Sequence, residues 1–430
     1  MPGGLARASL LENARFNALV IVPNAVQGLF RRRRAAVAAA TRAGVDGHAV
    51  GLLRGMARGH GGGPVWVRVV KEPALLLLDP ADIERALDGS PEPFAADPKP
   101  KRDGMVAFQP DAATISRGET WRSRRRFTEA VLRSPKAGKL LSGWERTCRE
   151  ELERMLSGPV AVAAGEVGWD PFHEAVQRIA RRLILGDRAA DDERLTELLG
   201  ELMSEGNGMP GEPGERLTEL ESMIASHVDA AERGSLAGRF ASAPTDDSTA
   251  PVGQVPHWLF ALGDTLASNA FRALAVIGSD AAVLGRARQS GEYLAACLQE
   301  AMRLWPTTTT LTRETTAETE WDGETVPAGT QVVIVNTFNH RDTDRVPYAD
   351  RFAPEEWIEG DAADYPGFNF FSRGPQVCPG TAIATGVGEL LLGELIERFE
   401  PQTLAPQLDL SKPLPHMIDF FGIRVMLEPR

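Results

Sequence analysis

The segment from Trp258 to Ile277 constrains the fold more than any other part of the chain. It is apolar on nearly every side, with Asp264, Thr265, Ser268 and Asn269 as its polar insertions. A helix that is hydrophobic all round must be surrounded, by protein or by lipid. Asp264, Asn269 and Arg272 would be expensive in hydrocarbon, so the segment predicts a core helix rather than a membrane span. A chain of 430 residues with 43% hydrophobic content can bury such a helix without help from disulfides or metals.

The elements around it predict a mainly α fold with a minor β portion (α+β). Val65 to Val70 alternates and is β-branched, and Ala74 to Leu78 follows a charged turn, so the pair reads as a hairpin. Asp82 to Leu87 reads as a short helix. Residues 94–120, poor in periodicity and rich in Pro, Asp and Gly, read as a long loop. From Trp121 the chain turns helical, with Trp144 to Leu156 carrying Glu and Arg at helical spacing. Leu195 to Met203 and Leu217 to Val228 are amphipathic and flank the Gly/Pro-rich stretch Gly206 to Gly214, which reads as a mobile loop and a candidate lid. Ser235 to Gly253 reads as a surface connection. A helix from Glu292 to Leu304 stops before Pro306, a strand spans Gln331 to Val335, and a last helix from about Gly386 to Glu400 precedes C-terminal β structure. No linker separates two self-contained patterns and no repeat is visible, so residues 1–430 are expected to form a single domain.

A net charge of −12 argues against nucleic acid as a partner, since such domains are normally basic. The charge is uneven. Arginines cluster at Arg31 to Arg34, and again at Arg122, Arg124, Arg125 and Arg126, each compatible with a solvated helix face. Arg7 and Glu12 interrupt the N-terminus before any apolar run, so no signal peptide is read there. Phe16 to Phe30 is fairly apolar but too short to span a bilayer and is broken by Pro23, Asn24 and Gln27. A soluble, cytoplasmic protein without a membrane span is expected, with interfacial contact left open. Three widely spaced cysteines, Cys148, Cys297 and Cys378, form neither a disulfide framework nor a paired zinc spacing.

The densest chemical signal is Phe371-Ser372-Arg373-Gly374-Pro375-Gln376-Val377-Cys378-Pro379-Gly380. Glycines let a backbone approach a flat ligand and offer N–H groups to a sulfur. A helix N-terminus following the cysteine favours the thiolate, the form that binds metal. An isolated buried cysteine is more often a small core residue than a ligand.

The surroundings decide between the two. The loop resembles the haem-binding loop of the cytochrome P450 family, with Phe371, Gly374, Cys378 and Gly380 matching and Gln376 in place of the usual Arg or His. Upstream, Glu300 and Arg303 resemble the family's Glu-x-x-Arg pair, at a spacing that puts both on one helix face. Arg313 resembles the arginine that pairs with a haem propionate, and Trp121 with Arg125 resembles the Trp-x-x-x-Arg that holds a propionate. A guanidinium fork suits a carboxylate, and an indole N–H adds a donor. Val326 to Thr330 and His340-Arg341-Asp342 also match in kind, so the resemblance covers nearly the whole chain.

The resemblance implies the P450 fold, with haem b between the central helix and the cysteine loop, and Cys378 as the iron's thiolate. Ala261-Leu262-Gly263-Asp264-Thr265 resembles the family's central-helix motif, which implies oxygen activation and proton delivery by Thr265 and Asp264. Four departures qualify this. Leu262 and Leu266 replace residues common around the motif, Glu356 stands where an arginine usually completes a triad with the Glu-x-x-Arg pair, and Gln376 is uncharged. With Glu356 acidic, Arg303 is placed to sit between two carboxylates.

The implied reaction is O2-dependent monooxygenation of a small organic molecule, such as hydroxylation in a specialised biosynthetic pathway. The departures keep open an atypical haem-thiolate reaction: peroxygenase, isomerase or dehydratase, nitrene-type transfer, or oxidative coupling. By resemblance, substrate contacts come from Phe108, Trp258, Ala261, the strand after Pro306 (Thr308 within the run Thr307 to Thr310) and Phe420 with Phe421. The threonine run fits plain strand propensity equally well. No Gly-x-Gly-x-x-Gly unit or reductase domain is visible, so electrons would come from a ferredoxin and ferredoxin reductase. Arg122, Arg124 and Arg126 are candidates for a basic docking face.

Overall fold

In the computed structural model, which describes residues 4–133, 137–158, 165–208 and 214–430, alternating β-branched sequence becomes sheet where expected. Val65–Val69 and Glu72–Leu77 pair as an antiparallel hairpin, and Gln331–Val335 adds in parallel to the second strand. Thr310–Thr315 and Phe94–Ala95 extend this sheet on one side and Ala6–Arg7 on the other, making six strands. One face packs on Leu53, Met56 and Phe16, the other on Ile83, Leu87 and Trp321. Leu75 to Leu78 are wholly buried, as a strand covered on both faces must be.

The chain divides into two compact units, each discontinuous in sequence. The first holds this sheet and comprises the chain up to Lys99, Met302–Cys378 and Ser411–Asp419. The second, largely helical, comprises Pro100–Ala301, Pro379–Leu410 and Phe420–Arg430. Its centre is the expected core helix, which runs as Pro251–Phe260, Ala261–Leu266 and Ala267–Ile277. Every residue from Ala267 to Ile277 is buried. The middle portion is a π turn, and it coincides with the Gly-Asp-Thr motif. Helices Trp169–Leu185 and Thr381–Arg398 belong to the same unit, as does a three-stranded sheet of Phe399–Ala405, Arg424–Pro429 and Glu166–Gly168.

Three expectations need correction. Residues 94–120 are not one long loop. They include the helix Lys99–Met105 and a 3-10 turn at Ala113–Ile115, and a further helix starts at Gly118. Side-chain bonds, one within the segment and others from Gln254, supply the order that local periodicity lacks. Lys101 Nζ donates to the Thr114 carbonyl at 3.0 Å, and the Gln254 amide bonds Ala113 N–H at 3.0 Å and the Asp111 carbonyl at 2.6 Å. Ser235 to Gly253 is only partly a surface connection, since Leu236, Ala237 and Thr249 are buried within it. The last helix begins at Thr381, not near Gly386. Of the expected lid, residues 209–213 lie outside the described residues; the flanking helices Glu193–Gly206 and Glu215–Ala230 are present. Among the described residues, no helix is long and apolar enough to cross a membrane.

Candidate active site

The cysteine loop is built by backbone closure. Cys378 N–H donates to the Phe371 carbonyl at 2.8 Å, Val377 N–H to Gly374 at 3.0 Å and Ser372 N–H to Asn369 at 2.7 Å. Gly374 has φ +67°, and a Cβ there would lie 2.6 Å from the Leu87 carbonyl and 2.8 Å from Asp88 Cα. Only glycine fits both the conformation and the approach to helix Pro80–Asp88. Arg373 clamps the loop to that helix through Glu84 and Asp88. Gly380 is the residue before helix Thr381–Arg398 and its carbonyl accepts from Ala384 N–H at 2.8 Å.

The three cysteines differ in kind. Cys148 is buried, and that burial pushes its thiol up to about 12, so it stays an inert thiol. Cys297 is also buried, whereas Cys378 is half-buried and outside any disulfide. Phe371 is half-buried and packs 5.1 Å from the Phe370 ring.

Arg313, on strand Thr310–Thr315, is buried at 2% exposure. Its Nε donates to Ser90 Oγ, Nη2 to Ser372 Oγ and Nη1 to the Thr312 carbonyl, each at 2.9 Å. Among the described residues no carboxylate pairs with it, and burial lowers its pKa from the ordinary arginine value to about 10. A buried cation without an anion is costly and marks a place where an anionic group is missing. Gln376 Oε1 is likewise buried and has no hydrogen-bond partner among the described residues.

A buried polar network holds the segment before this loop. Arg303, wholly buried, donates to the carbonyls of His340 (2.8 Å), Ala349 (2.9 Å) and Arg351 (2.9 Å). His340 Nδ1 lies 3.0 Å from the Arg303 carbonyl, while its Nε2 accepts from Asn369 N–H at 3.3 Å. This fixes the Nδ1–H tautomer, and burial lowers the ring's pKa to about 3, so it is neutral. Arg303 thus caps the peptide carbonyls of the 340–351 turn. Glu300 is wholly buried on the same helix, Gly291–Leu304, and Glu356 is half-buried in a 3-10 turn, Pro354–Trp357.

In the helical unit, Asp264 and Thr265 occupy the π turn. His173 Nε2 lies 3.0 Å from Asp264 Oδ1, and Gln177 Nε2 donates to Asp264 Oδ2 at 3.2 Å. Gln177 Nε2 is also 3.0 Å from His173 Nε2. One ring nitrogen cannot donate to Asp264 and accept from Gln177 together, so the two contacts belong to alternative proton positions. A Cβ at Gly263 would meet Gln177 Oε1 at 2.5 Å, so a larger residue there would push the Gln177 amide from its place beside Asp264. The Thr265 hydroxyl has no protein hydrogen-bond partner among the described residues, while its carbonyl accepts from Ser268 Oγ at 3.0 Å. Asn269 is buried, its Oδ1 without a hydrogen-bond partner among the described residues. Trp121 is half-buried on helix Gly118–Leu132. One turn later Arg125 Nε donates to Glu129 at 2.8 Å, while its buried Nη2 has no hydrogen-bond partner among the described residues.

The substrate candidates separate on inspection. Phe108 is wholly buried, edge-on to Phe260 at 6.3 Å. Trp258 is buried between Phe127 and Phe240, a core position. Phe420 packs on Trp169 at 4.5 Å and on Phe421 at 4.2 Å, and Trp169 stacks on His173 at 4.8 Å. Ala261 is half-buried at the start of the π turn. Thr308 is exposed, its carbonyl taken by Asn336. Sequence reasoning missed His173 and Gln177, although His173 and Gln177 stand four residues apart as polar breaks in an otherwise apolar helix face. It also missed Ser90 and Ser372, which nothing but the fold brings to Arg313.

A sequence profile of the cytochrome P450 family matches residues 274–418, a stretch that holds Glu300, Arg303, Arg313, His340 and the Cys378 loop. The fold is that of solved P450 structures. One from Thermus thermophilus, CYP175A1, aligns over 89% of this chain and 96% of its own, with a TM-score of 0.66 at 18% identity. The retinoic acid-bound cyanobacterial CYP120A1 aligns over 88% and 94%, with a TM-score of 0.69 at 19% identity. Residues 274–418 match the cytochrome P450 family, and the fold of the chain is the P450 fold. Curated P450 relatives include a probable cytochrome P450 4d20 of Drosophila melanogaster, 30% identical over 36% of this chain and 31% of that protein. Another is tabersonine 6,7-epoxidase isoform 1 of Catharanthus roseus, 33% identical over 28% and 25%. The matches therefore span about a quarter to a third of the relatives' own length.

The P450 cofactor is haem b, and the donors present fit it. A half-buried thiol and, among the described residues, a buried arginine without a counter-anion lie on one loop and the strand bonded to it. An iron ligand and cations for propionates are what such a group requires.

Proposed function

We propose that this P450-fold chain catalyses O2-dependent monooxygenation of a small organic molecule, with Cys378 as the thiolate that would hold the haem iron. Arg313 and Gln376 take up a propionate, and Trp121 and Arg125 are assigned the same task by resemblance. The haem, when bound, supplies the oxidising chemistry, and a thiolate ligand favours O–O cleavage. The relative named tabersonine 6,7-epoxidase supports the reaction class, and its plant source and substrate name support a specialised pathway. Neither unit is continuous in sequence, which supports reading residues 1–430 as one functional domain.

The observation that carries the oxygen chemistry is the Asp264 carboxylate held by His173 and Gln177 beside the unpartnered Thr265 hydroxyl. Proton delivery needs a group that gives a proton and is then recharged. In its imidazolium form His173 passes the Nε2 proton to Asp264 and is left as the neutral Nδ1–H tautomer, whose Nε2 accepts from the Gln177 amide already 3.0 Å away and whose cationic form is restored by a proton from solvent. Thr265, free of its own helix, both accepts and donates. The soluble, cytoplasmic setting and the ferredoxin and reductase partners remain part of the same reading. The basic docking face shrinks, however. Arg124 is taken up internally by Asp111, Ser116 and Ser248, leaving Arg122 and Arg126 exposed.

The test begins with a ligand screen for the spectral shift that marks displacement of iron-bound water. With a substrate so found, Thr265→Ala is expected to divert reducing equivalents from product to peroxide and cut product formation on the order of 100-fold. Retained coupling would remove Thr265 and the proton route from the reaction.

A further inference from the structure

We infer that Gln109 and His257 form a specificity site for one uncharged group of the substrate, an amide or a hydroxyl, that both donates and accepts a hydrogen bond. This rests on the monooxygenase reading and adds to it the kind of molecule taken. All the residues concerned belong to the helical unit.

The helix 251–277 is buried on most sides, yet between 257 and 265 accessible surface recurs at His257, Phe260, Ala261, Asp264 and Thr265. Steps of three and four residues put these five on one face. An accessible stripe on a core helix is a wall against which a substrate can lie. His257 stands at one end of it and Thr265 at the other, about 12 Å apart along the axis.

Gln109 meets the stripe at its His257 end. His257 Nδ1 lies 3.1 Å from Gln109 Oε1. Gln109 is wholly buried, and its Nε2 has no hydrogen-bond partner among the described residues. The backbone around it is fixed: Gln109 N–H donates to the Met105 carbonyl at 2.9 Å, and its carbonyl accepts from Ala112 N–H at 3.1 Å. Gln254, one turn before His257, fastens the following residues through Asp111 and Ala113. A buried amide held in this way, with N–H groups unmatched, carries a standing cost that a ligand acceptor removes.

The shared hydrogen bond sets what the pair offers. With Nδ1–H donating to Gln109 Oε1, His257 Nε2 carries a lone pair and the Gln109 amide keeps its N–H donors. Turning the amide over exchanges the roles, leaving Gln109 Oε1 to accept and His257 Nε2–H to donate. Either way the pair presents one donor and one acceptor. His257 is neutral, since burial first and Lys101 second lower its pKa to about 4. Lys101 and Asp111, on the same segment as Gln109, are engaged with Thr114 and Arg124. An uncharged group therefore suits the site better than an ion. Phe108 and Phe260, edge to face at 6.3 Å, supply apolar surroundings.

Calorimetric titration of the holoprotein with phenylbutanamide, phenylbutanol and butylbenzene tests the pair. The amide or the alcohol, or both, is expected to bind at least about 10-fold tighter than butylbenzene, and the tighter of the two names the group. Phenylbutanoate and phenylbutyltrimethylammonium should bind no better than butylbenzene. Gln109→Leu and, separately, His257→Phe should each lower the favoured ligand's affinity about 10-fold and leave butylbenzene within about 2-fold, with haem content and circular dichroism unchanged. Equal affinity for the three uncharged ligands, preference for either ion, no binding by the amide or the alcohol, or an equal loss for butylbenzene in both variants overturns the inference. Binding needs no turnover. A protein that keeps the preference but forms no oxidised product leaves this site standing and removes the monooxygenase reading, whereas turnover without the preference does the reverse.

Discussion

Replacing Arg313 by Met separates the cost of a buried cation from its use. The drop of its pKa to about 10 corresponds to about 3 kcal/mol held against the charged form in the folded chain. Since the folded pKa lies below the unfolded one, that penalty is present in full at neutral pH and is relieved only as pH rises through 10 toward the unfolded arginine value. Arg313→Met removes it, along with hydrogen bonds to Ser90, Ser372 and the Thr312 carbonyl that are worth about 1.5 kcal/mol or more each. Ser90 keeps its own bond to the Ala86 carbonyl. The two effects nearly cancel, so the apoprotein's unfolding free energy should change by less than about 2 kcal/mol. Haem retention should behave otherwise, because a charge-assisted fork on a propionate contributes about 2–3 kcal/mol. Haem transfer from the holoprotein to apomyoglobin should therefore become faster on the order of 100-fold. Paired urea titrations of apoprotein and haem-transfer kinetics decide the matter. A strongly destabilised apoprotein with unchanged haem transfer would refute the reasoning and make Arg313 a structural residue.

Two further outcomes follow from the same region. Gly374→Ala imposes a left-handed conformation on alanine, about 1–2 kcal/mol, and drives its Cβ into the Leu87 carbonyl at 2.6 Å, about 1–3 kcal/mol more; a fall of the urea midpoint by a small fraction would contradict this. Asp82 is raised to about 6, by burial first and then by Asp79 and Asp322. Its folded pKa exceeds the unfolded one, so stability falls as pH rises from about 4 through 6. Asp82→Asn should stabilise at pH 7 by about 1 kcal/mol or less, since the group is half-exposed, and should have no effect below pH 4; an equal effect at both pH values would exclude the titration.

What the sequence showed and what it hid follow from the range of the forces involved. The core helix was legible because Trp258 to Ile277 is apolar on nearly every side, and the hairpin because Val65 to Val70 alternates and is β-branched and Ala74 to Leu78 follows a charged turn. Residues 94–120 were not, since Gln254 and Lys101 order them from elsewhere in sequence or through single side-chain bonds. The Cys378 loop was legible through its glycines, one of which the geometry demands. The partners of Asp264 were hidden because His173 lies 91 residues away and carries no motif. Likewise Arg124 read as surface charge, though Asp111 and Ser116 had claimed it.

The account rests on Cys378 as the iron's thiolate, and Cys378→Ser tests it most directly. The purified variant should keep its circular dichroism spectrum and lose the thiolate-type band in the reduced carbon-monoxide difference spectrum. A variant that retains that band with haem bound would contradict the account.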